Sequence, residues 1–176
     1  MIINTACPYG ESKECSRNGL VSIPRIIGNI LHVKVMIVGQ NPGFSTTDKP
    51  DTHIAFEGTS FTCDLIEQCL DGFTDIYLTN VVKCADKNGI DEGESDFCVI
   101  KYLLREISFI RPKCVICLGR MPEKYVEIVK DIIGANFSIQ YFIHPGALLR
   151  NNAPKSEVNK YITKMRNTIG AFSNER

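Results

Sequence analysis

Asn41, Asn80, His144 and a set of cysteines are the residues of this chain best suited by type and placement to do chemistry. Asn41 lies in Gly39-Gln40-Asn41-Pro42-Gly43. Two glycines and a proline fix a tight turn there and let backbone N–H groups face a ligand. The Asn41 side-chain oxygen can orient a water, but an amide takes no proton near neutral pH, so it is not a strong base. Asn80 offers a donor and an acceptor side by side, a match for the edge of a nucleobase. Its alternative role is to satisfy a loop backbone. His144, before Pro145-Gly146, can donate to a developing anion or a phosphate, or serve as a structural donor.

The eight cysteines are residues 7, 15, 63, 69, 84, 98, 114 and 117. Cys63 and Cys69 fall in a predicted helix, and Cys114 and Cys117 at opposite-facing positions of a predicted strand. All four read as core thiols. The C-x-x-C spelling of 114–117 is no metal motif, because ligand pairs of that spacing need a turn. Cys7, Cys15, Cys84 and Cys98 lie in predicted loops or at element ends, as C-x7-C and C-x13-C pairs. Four converging thiolates suit an iron–sulfur cluster or zinc, and the spacing alone does not choose between them.

Four short apolar runs must position these residues: Val33–Gly39, Asp75–Val82, Lys113–Gly119 and Phe137–Ile143. Each reads as a buried parallel strand. Helical patterns separate them. Thr59–Leu70 carries Phe61, Leu65, Ile66, Cys69 and Leu70 on one face. Three more helices are predicted over about Glu94–Ile110, Pro122–Ile133 and Lys155–Phe172, bounded by proline and glycine signals. Strand and helix alternate four times. This is the pattern of an α/β domain, a three-layer α/β/α sandwich around a central four-stranded parallel sheet, with residues 1–176 forming one domain. Ligands bind such sheets beyond the carboxyl ends of the strands. Asn41, Asn80 and His144 all fall at those ends.

The 176 residues hold 20 basic and 20 acidic side chains, with 44% hydrophobic and 23% charged residues. This is an ordinary globular composition and excludes disorder, collagen-like fibre and coiled coil. No apolar run is long enough to span a bilayer, and the N-terminal residues lack a secretory pattern, so a cytoplasmic protein is expected. Zero net charge argues against a histone-like coat of basic residues, yet the charge is unevenly spread. Residues 44–98 carry three basic and twelve acidic groups, residues 99–144 seven and four, and residues 145–176 six and two. A face fed by the second half could meet a polyanion.

The order of motifs resembles the uracil-DNA glycosylase superfamily, and most closely its iron–sulfur members, family four and its relatives. The likeness runs from about Cys7 to Leu149. VMIVGQNPG resembles the first active-site motif. IAFEGTSFTCDLIEQCL resembles the segment with a base-stacking Phe before a helix. DIYLTNVVKC is the most specific match. FCVIKYLLREISFIRPKCVICLGR resembles the segment from the last cluster cysteine to the third strand, and FIHPGALL the motif whose following loop enters the minor groove.

The resemblance implies a DNA glycosylase that flips out and hydrolytically removes uracil, or a related deaminated or modified base, in base excision repair. Under it, Gln40 helps hold the flipped base through its backbone, Asn41 orients the attacking water, Phe56 stacks on the base and Asn80 reads the uracil edge. His144 stabilises charge on the departing base. Gly146, Leu148, Leu149 and Arg150 meet the DNA, with Leu148 and Leu149 as the wedge. Cys84 and Cys98 match the second pair of ligands to a 4Fe-4S cluster, Cys7 and Cys15 would supply the first, and zinc is the alternative. The resemblance assigns no lysine a role, so a monofunctional, monomeric enzyme acting on DNA, with no membrane partner, is expected. The competing reading is a non-catalytic or weakly catalytic binder of damaged or modified single-stranded DNA using the same pocket.

Overall fold

The computed structural model of the chain describes residues 21–42, 52–84 and 92–173. The described residues form seven strands: β1 Val21–Ile23, β2 Arg25–Ile27, β3 Val35–Gly39, β4 Thr52–Ile54, β5 Ile76–Asn80, β6 Cys114–Leu118 and β7 Ser138–Phe142. The helices are α1 Phe61–Leu70, α2 Glu92–Cys98, α3 Leu104–Ile110, α4 Arg120–Ile133, α5 Pro145–Arg150 and α6 Lys155–Ser173. A five-residue π turn, Val99–Leu103, joins α2 to α3.

The main sheet has the order β2-β5-β3-β6-β7. The four predicted strands are its parallel members, β5, β3, β6 and β7. The expected count of four is one short, because β2 adds an antiparallel edge strand against β5. A further two-stranded parallel ribbon pairs β1 with β4. These extra strands are three residues each, too short for alternation to announce them. The hexapeptide α5 lies within and just beyond the FIHPGALL motif, where no helical periodicity announces it.

Alternation along the strands explains the three layers. Val35 and Ile37 of β3, Ile76 and Leu78 of β5, and Cys114, Ile116 and Leu118 of β6 bury on one face, against α1, α5 and α6. Met36 and Val38, Tyr77, and Val115 and Cys117 bury on the other, against the α2–α3 segment and α4. A strand covered on both sides must be apolar at successive positions, and all five residues of β3, β5 and β6 are buried. Cys114 and Cys117 thus point into opposite layers, as core thiols of a strand. Burial raises the Cys69 and Cys114 thiols to about 12, so both stay protonated and inert.

Helix ends follow local chemistry. Ser60 caps α1, its hydroxyl accepting from the Cys63 N–H at 3.2 Å. Gly134 closes α4 in the left-handed conformation. The single helix predicted from Glu94 to Ile110 is broken instead by the π turn, which starts directly after Cys98. Such turns add a residue to the helical register and concentrate at functional sites.

A candidate base-binding site at the carboxyl edge of the sheet

β3 ends on Gly39 and β5 on Asn80, and these two residues are register partners. The ladder runs on past them. Val81 N–H donates to the Gly39 carbonyl and Val82 N–H to the Gln40 carbonyl, each at 2.9 Å. Gln40 is therefore tied to the sheet through its carbonyl while its side chain is exposed. Asn41 follows, half-buried, with Nδ2 donating to the Pro42 carbonyl at 2.9 Å. That bond fixes the amide and turns its oxygen into the atom available to accept from a water.

Phe56 reaches the same point from the β1–β4 ribbon. Its φ of 58° is left-handed, a conformation that costs a bulky residue about 1–2 kcal/mol. Neighbouring bonds hold it there. Ala55 N–H donates to the Ile23 carbonyl at 2.9 Å, and the Arg25 guanidinium donates to the Phe56 carbonyl while pairing with Glu67 of α1. Gly39 explains why ring and amide can meet. A Cβ built on it would stand 2.5 Å from Asn80 Oδ1 and 2.6 Å from Phe56 Cζ. The absent side chain is the space that brings the two together.

Asn80 is 3% exposed and sits in a polar frame within the core. Its Nδ2 donates to the Ser22 hydroxyl at 3.4 Å. Its carbonyl accepts from the Lys83 ammonium at 2.7 Å. Lys83 is itself buried and lies 2.8 Å from both carboxylate oxygens of Glu106, on α3. Thr79 completes the frame by donating to Glu106 at 2.9 Å and accepting from Lys83. The Ser22 N–H donates to the Lys83 carbonyl, tying β1 to the same segment. Removing one partner of such a buried pair typically costs about 3–5 kcal/mol, because the other charge is left unpaired.

His144 lies two residues beyond β7 at the same edge. It caps α5, with Nδ1 accepting from the Gly146 N–H at 3.1 Å. An acceptor at Nδ1 places the proton of the neutral ring on Nε2. Burial pushes the imidazole pKa below its ordinary value, and the nearby Arg150 guanidinium pushes it the same way. Gly146 gives the cap its room, since a Cβ there would be 3.1 Å from His144 Nδ1 and 3.5 Å from Arg150 Nη1. The next two residues part company. Leu148 is 3% exposed, in the core with α1 and α6, whereas Leu149 is 56% exposed, beside the exposed Arg150. Of the pair expected to wedge DNA, only Leu149 faces outward. The helical turn of α5 sends its neighbour inward, which a loop reading of the segment could not show.

Cys84, four residues after Asn80, and Cys98, the last residue of α2, are both buried in one cluster on the α2–α4 side of the sheet. Two sulfur donors in a shared apolar setting fit the thiolate chemistry of an iron–sulfur cluster or zinc. Cys7 and Cys15 lie outside the described residues, as does Gly43. Among the described residues no group of three or more metal-ligating side chains is gathered.

Ser22, Arg25, Lys83 and Glu106 were missed as site residues. Lys83 falls within DIYLTNVVKC, four residues after Thr79, although the resemblance assigns it no role. Its ammonium is engaged by four oxygens rather than presented as an amine nucleophile. Glu106 did carry a signal: a carboxylate beside the apolar stripe of Leu103, Ile107 and Ile110. A charge at a buried helical position requires a partner.

These features define an α/β protein in which a buried amide, Asn80, and an aromatic ring, Phe56, are brought together at the carboxyl edge of the sheet. The model of the uracil DNA glycosylase superfamily matches residues 26–166, and the chain belongs to that superfamily. It is similar to the type-4 uracil-DNA glycosylase of Sulfurisphaera tokodaii, with 33% identity over 107 residues, 60% of this chain and 47% of that protein. The type-4 uracil-DNA glycosylase of Archaeoglobus fulgidus is 30% identical over 101 residues, 56% of this chain and 50% of that one. That of Pyrobaculum aerophilum is 28% identical over 145 residues, 72% and 73% of the two chains. The match thus spans about half the length of the first two relatives.

Proposed function

We propose that this chain is a monofunctional DNA glycosylase that hydrolyses the N-glycosidic bond of uracil, or of a related deaminated or modified base, in base excision repair. The observation that carries the reading is the convergence of Asn80 and Phe56 on Gly39, one residue before Gln40 and two before Asn41.

A base inside a duplex is unreachable, so it must be flipped out at a cost of a few kcal/mol. Phe56 then offers a stacking face. Asn80 accepts from N3–H and donates to O4, a pattern that uracil satisfies and cytosine does not. As the bond breaks, positive charge grows on the sugar and negative charge on the base. The His144 Nε2–H is the preorganised donor for that negative charge, an interaction worth several kcal/mol in a desolvated site. Asn41 Oδ1 holds a water for the sugar. Leu149 fills the space the base leaves, anchored through Leu148, with Gly146 and Arg150 beside the backbone.

Cys84 and Cys98, with Cys7 and Cys15, would hold a 4Fe-4S cluster. When bound, the cluster would supply a crosslink rather than reaction chemistry, tying the N-terminal segment to Cys84 and Cys98. Zinc would supply the same crosslink. No helix among the described residues is long and apolar enough to cross a membrane. The reading includes a single domain acting as a monomer on DNA in the cytoplasm.

The test is incubation with a uracil-containing oligonucleotide, then hot alkali to break the chain at abasic sites. Cleavage at the uracil position is expected. Tight binding without cleavage would instead support the binder, and cleavage only with hypoxanthine, xanthine or another modified base would redirect the assignment.

A further inference from the structure

We propose that Ser22, Lys83 and Glu106 are specificity-positioning residues for the base, forming a buried frame that sets the orientation of Asn80. The inference rests on the reading of Asn80 as the residue that recognises uracil.

An amide can discriminate bases only if it is held at one place and in one plane. Asn80 is fixed at both ends. Ser22 takes one hydrogen of Nδ2 at 3.4 Å. This leaves Oδ1 over Gly39 and the second N–H for the base. Behind it, Lys83 Nζ holds the Asn80 carbonyl at 2.7 Å. A lysine alone would be a poor anchor, being long and mobile. Here Glu106 meets it with both oxygens at 2.8 Å, and Thr79, the residue before Asn80, bonds to both charges.

The setting argues for placement rather than stability alone. A buried ion pair is often no more stabilising than a well-packed apolar pair of similar volume, so its presence calls for another role. The pair spends its donors on the two residues that end β5. The Ser22 N–H also bonds the Lys83 carbonyl, so the side-chain and main-chain anchors of Asn80 form one connected unit. None of the three touches a reacting atom; all act through Asn80.

The test uses the full chain with Ser22→Ala, Ser22→Thr and the apolar double variant Lys83→Met/Glu106→Leu, which leaves no orphan charge. Three quantities are read: thermal midpoint, single-turnover rate on uracil DNA, and Kd for free uracil. Ser22→Ala is expected to keep the fold while losing at least about ten-fold in rate and in uracil affinity, as expected for small misplacement of a positioned group. Ser22→Thr restores the hydroxyl and recovers both. The double variant, below its own midpoint, loses rate and uracil affinity with unchanged affinity for uracil-free DNA. A frame that is merely structural would move the midpoint alone. Wild-type rate and uracil affinity in folded Ser22→Ala overturns the proposal even if the double variant does not fold. Should wild type neither bind nor release uracil, the base assignment fails, and the proposal falls with it for that separate reason.

Discussion

Gly39 and Asn80 face each other at the last shared register position of β3 and β5, with no room for a methyl group between Gly39 and the Asn80 amide. The same methyl would strike the Phe56 ring. Gly39→Ala therefore moves both proposed base contacts at once. Overpacking of this kind costs about 1–3 kcal/mol, and misplacing recognition groups by an ångström can cost about a hundred-fold in rate. A folded variant, with a lowered thermal midpoint and at least about a hundred-fold lower kcat/KM on uracil DNA, is the expected result. Near wild-type activity would show that the amide and ring are not the base contacts.

Asn41 has a different expected signature. It is half-buried, its Nδ2 donates to the adjacent Pro42 carbonyl, and it lies outside the frame around Asn80. Asn41→Ala should leave folding intact and abolish release of uracil, while binding of uracil DNA is kept. The measurements are the thermal midpoint, single-turnover cleavage and DNA binding on one preparation. Full activity would remove the water-positioning role.

Leu148 and Leu149 are chain neighbours with opposite surroundings, and substitution should separate them cleanly. Leu148→Ala empties a core position and should cost about 2–5 kcal/mol of stability. Leu149→Ala should leave stability within about half a kcal/mol of wild type, as surface changes do. It should slow excision from duplex more than from single-stranded DNA, because only the duplex has a stack to be held open. Equal slowing on both substrates would argue against a wedge.

Cys84 and Cys98 predict a visible property. If they help to ligate a 4Fe-4S cluster, the purified protein is brown and contains iron and sulfide. Cys84→Ser or Cys98→Ser should lose the colour and lower the thermal midpoint. Colourless wild type with stoichiometric zinc would decide for the other metal. Cys114→Ser should keep the metal, since its thiol is buried in the opposite layer, its pKa raised to about 12.

The two-layered helical covering and four of the five strands of the main sheet were legible because strands buried on both faces leave nearly unbroken apolar runs, as in Val35–Gly39. Asn41, Asn80 and His144 were legible as edge residues for the same reason: they fall at or just beyond the carboxyl ends of those runs. The three-residue strands β1, β2 and β4 were not, since pairing rather than sequence pattern holds them. Ser22 and Arg25 lie there and were missed with them. Lys83 and Glu106 were hidden differently. They are 23 positions apart, and the bond between them exists only once α3 packs on the sheet. Leu148 shows the converse error: expected as half of a wedge facing DNA, it falls on the inner face of a helical turn.

His144 carries the pH prediction. Its pKa is held below the ordinary 6.5 by burial first and by Arg150 second. The native form is therefore the neutral ring, whose Nδ1 accepts from the Gly146 N–H. Protonation turns that acceptor into a donor facing another donor, breaking the cap of α5 and displacing Nε2. For a base whose folded pKa is depressed, the unfolded chain takes up the proton first as pH falls. The stability owed to neutral His144 is thus complete above about 6.5 and is lost as pH falls through the lower folded value. Excision should be flat through neutral pH and decline on that same acid limb. Arg150→Gln removes the like charge and should move the limb to higher pH, although only part of the way, since burial is the larger cause. Single-turnover rates at saturating enzyme, measured for both proteins between about pH 5 and 8, give the two midpoints. A limb that stays put in Arg150→Gln, or that persists in His144→Gln, would assign the titration to another group.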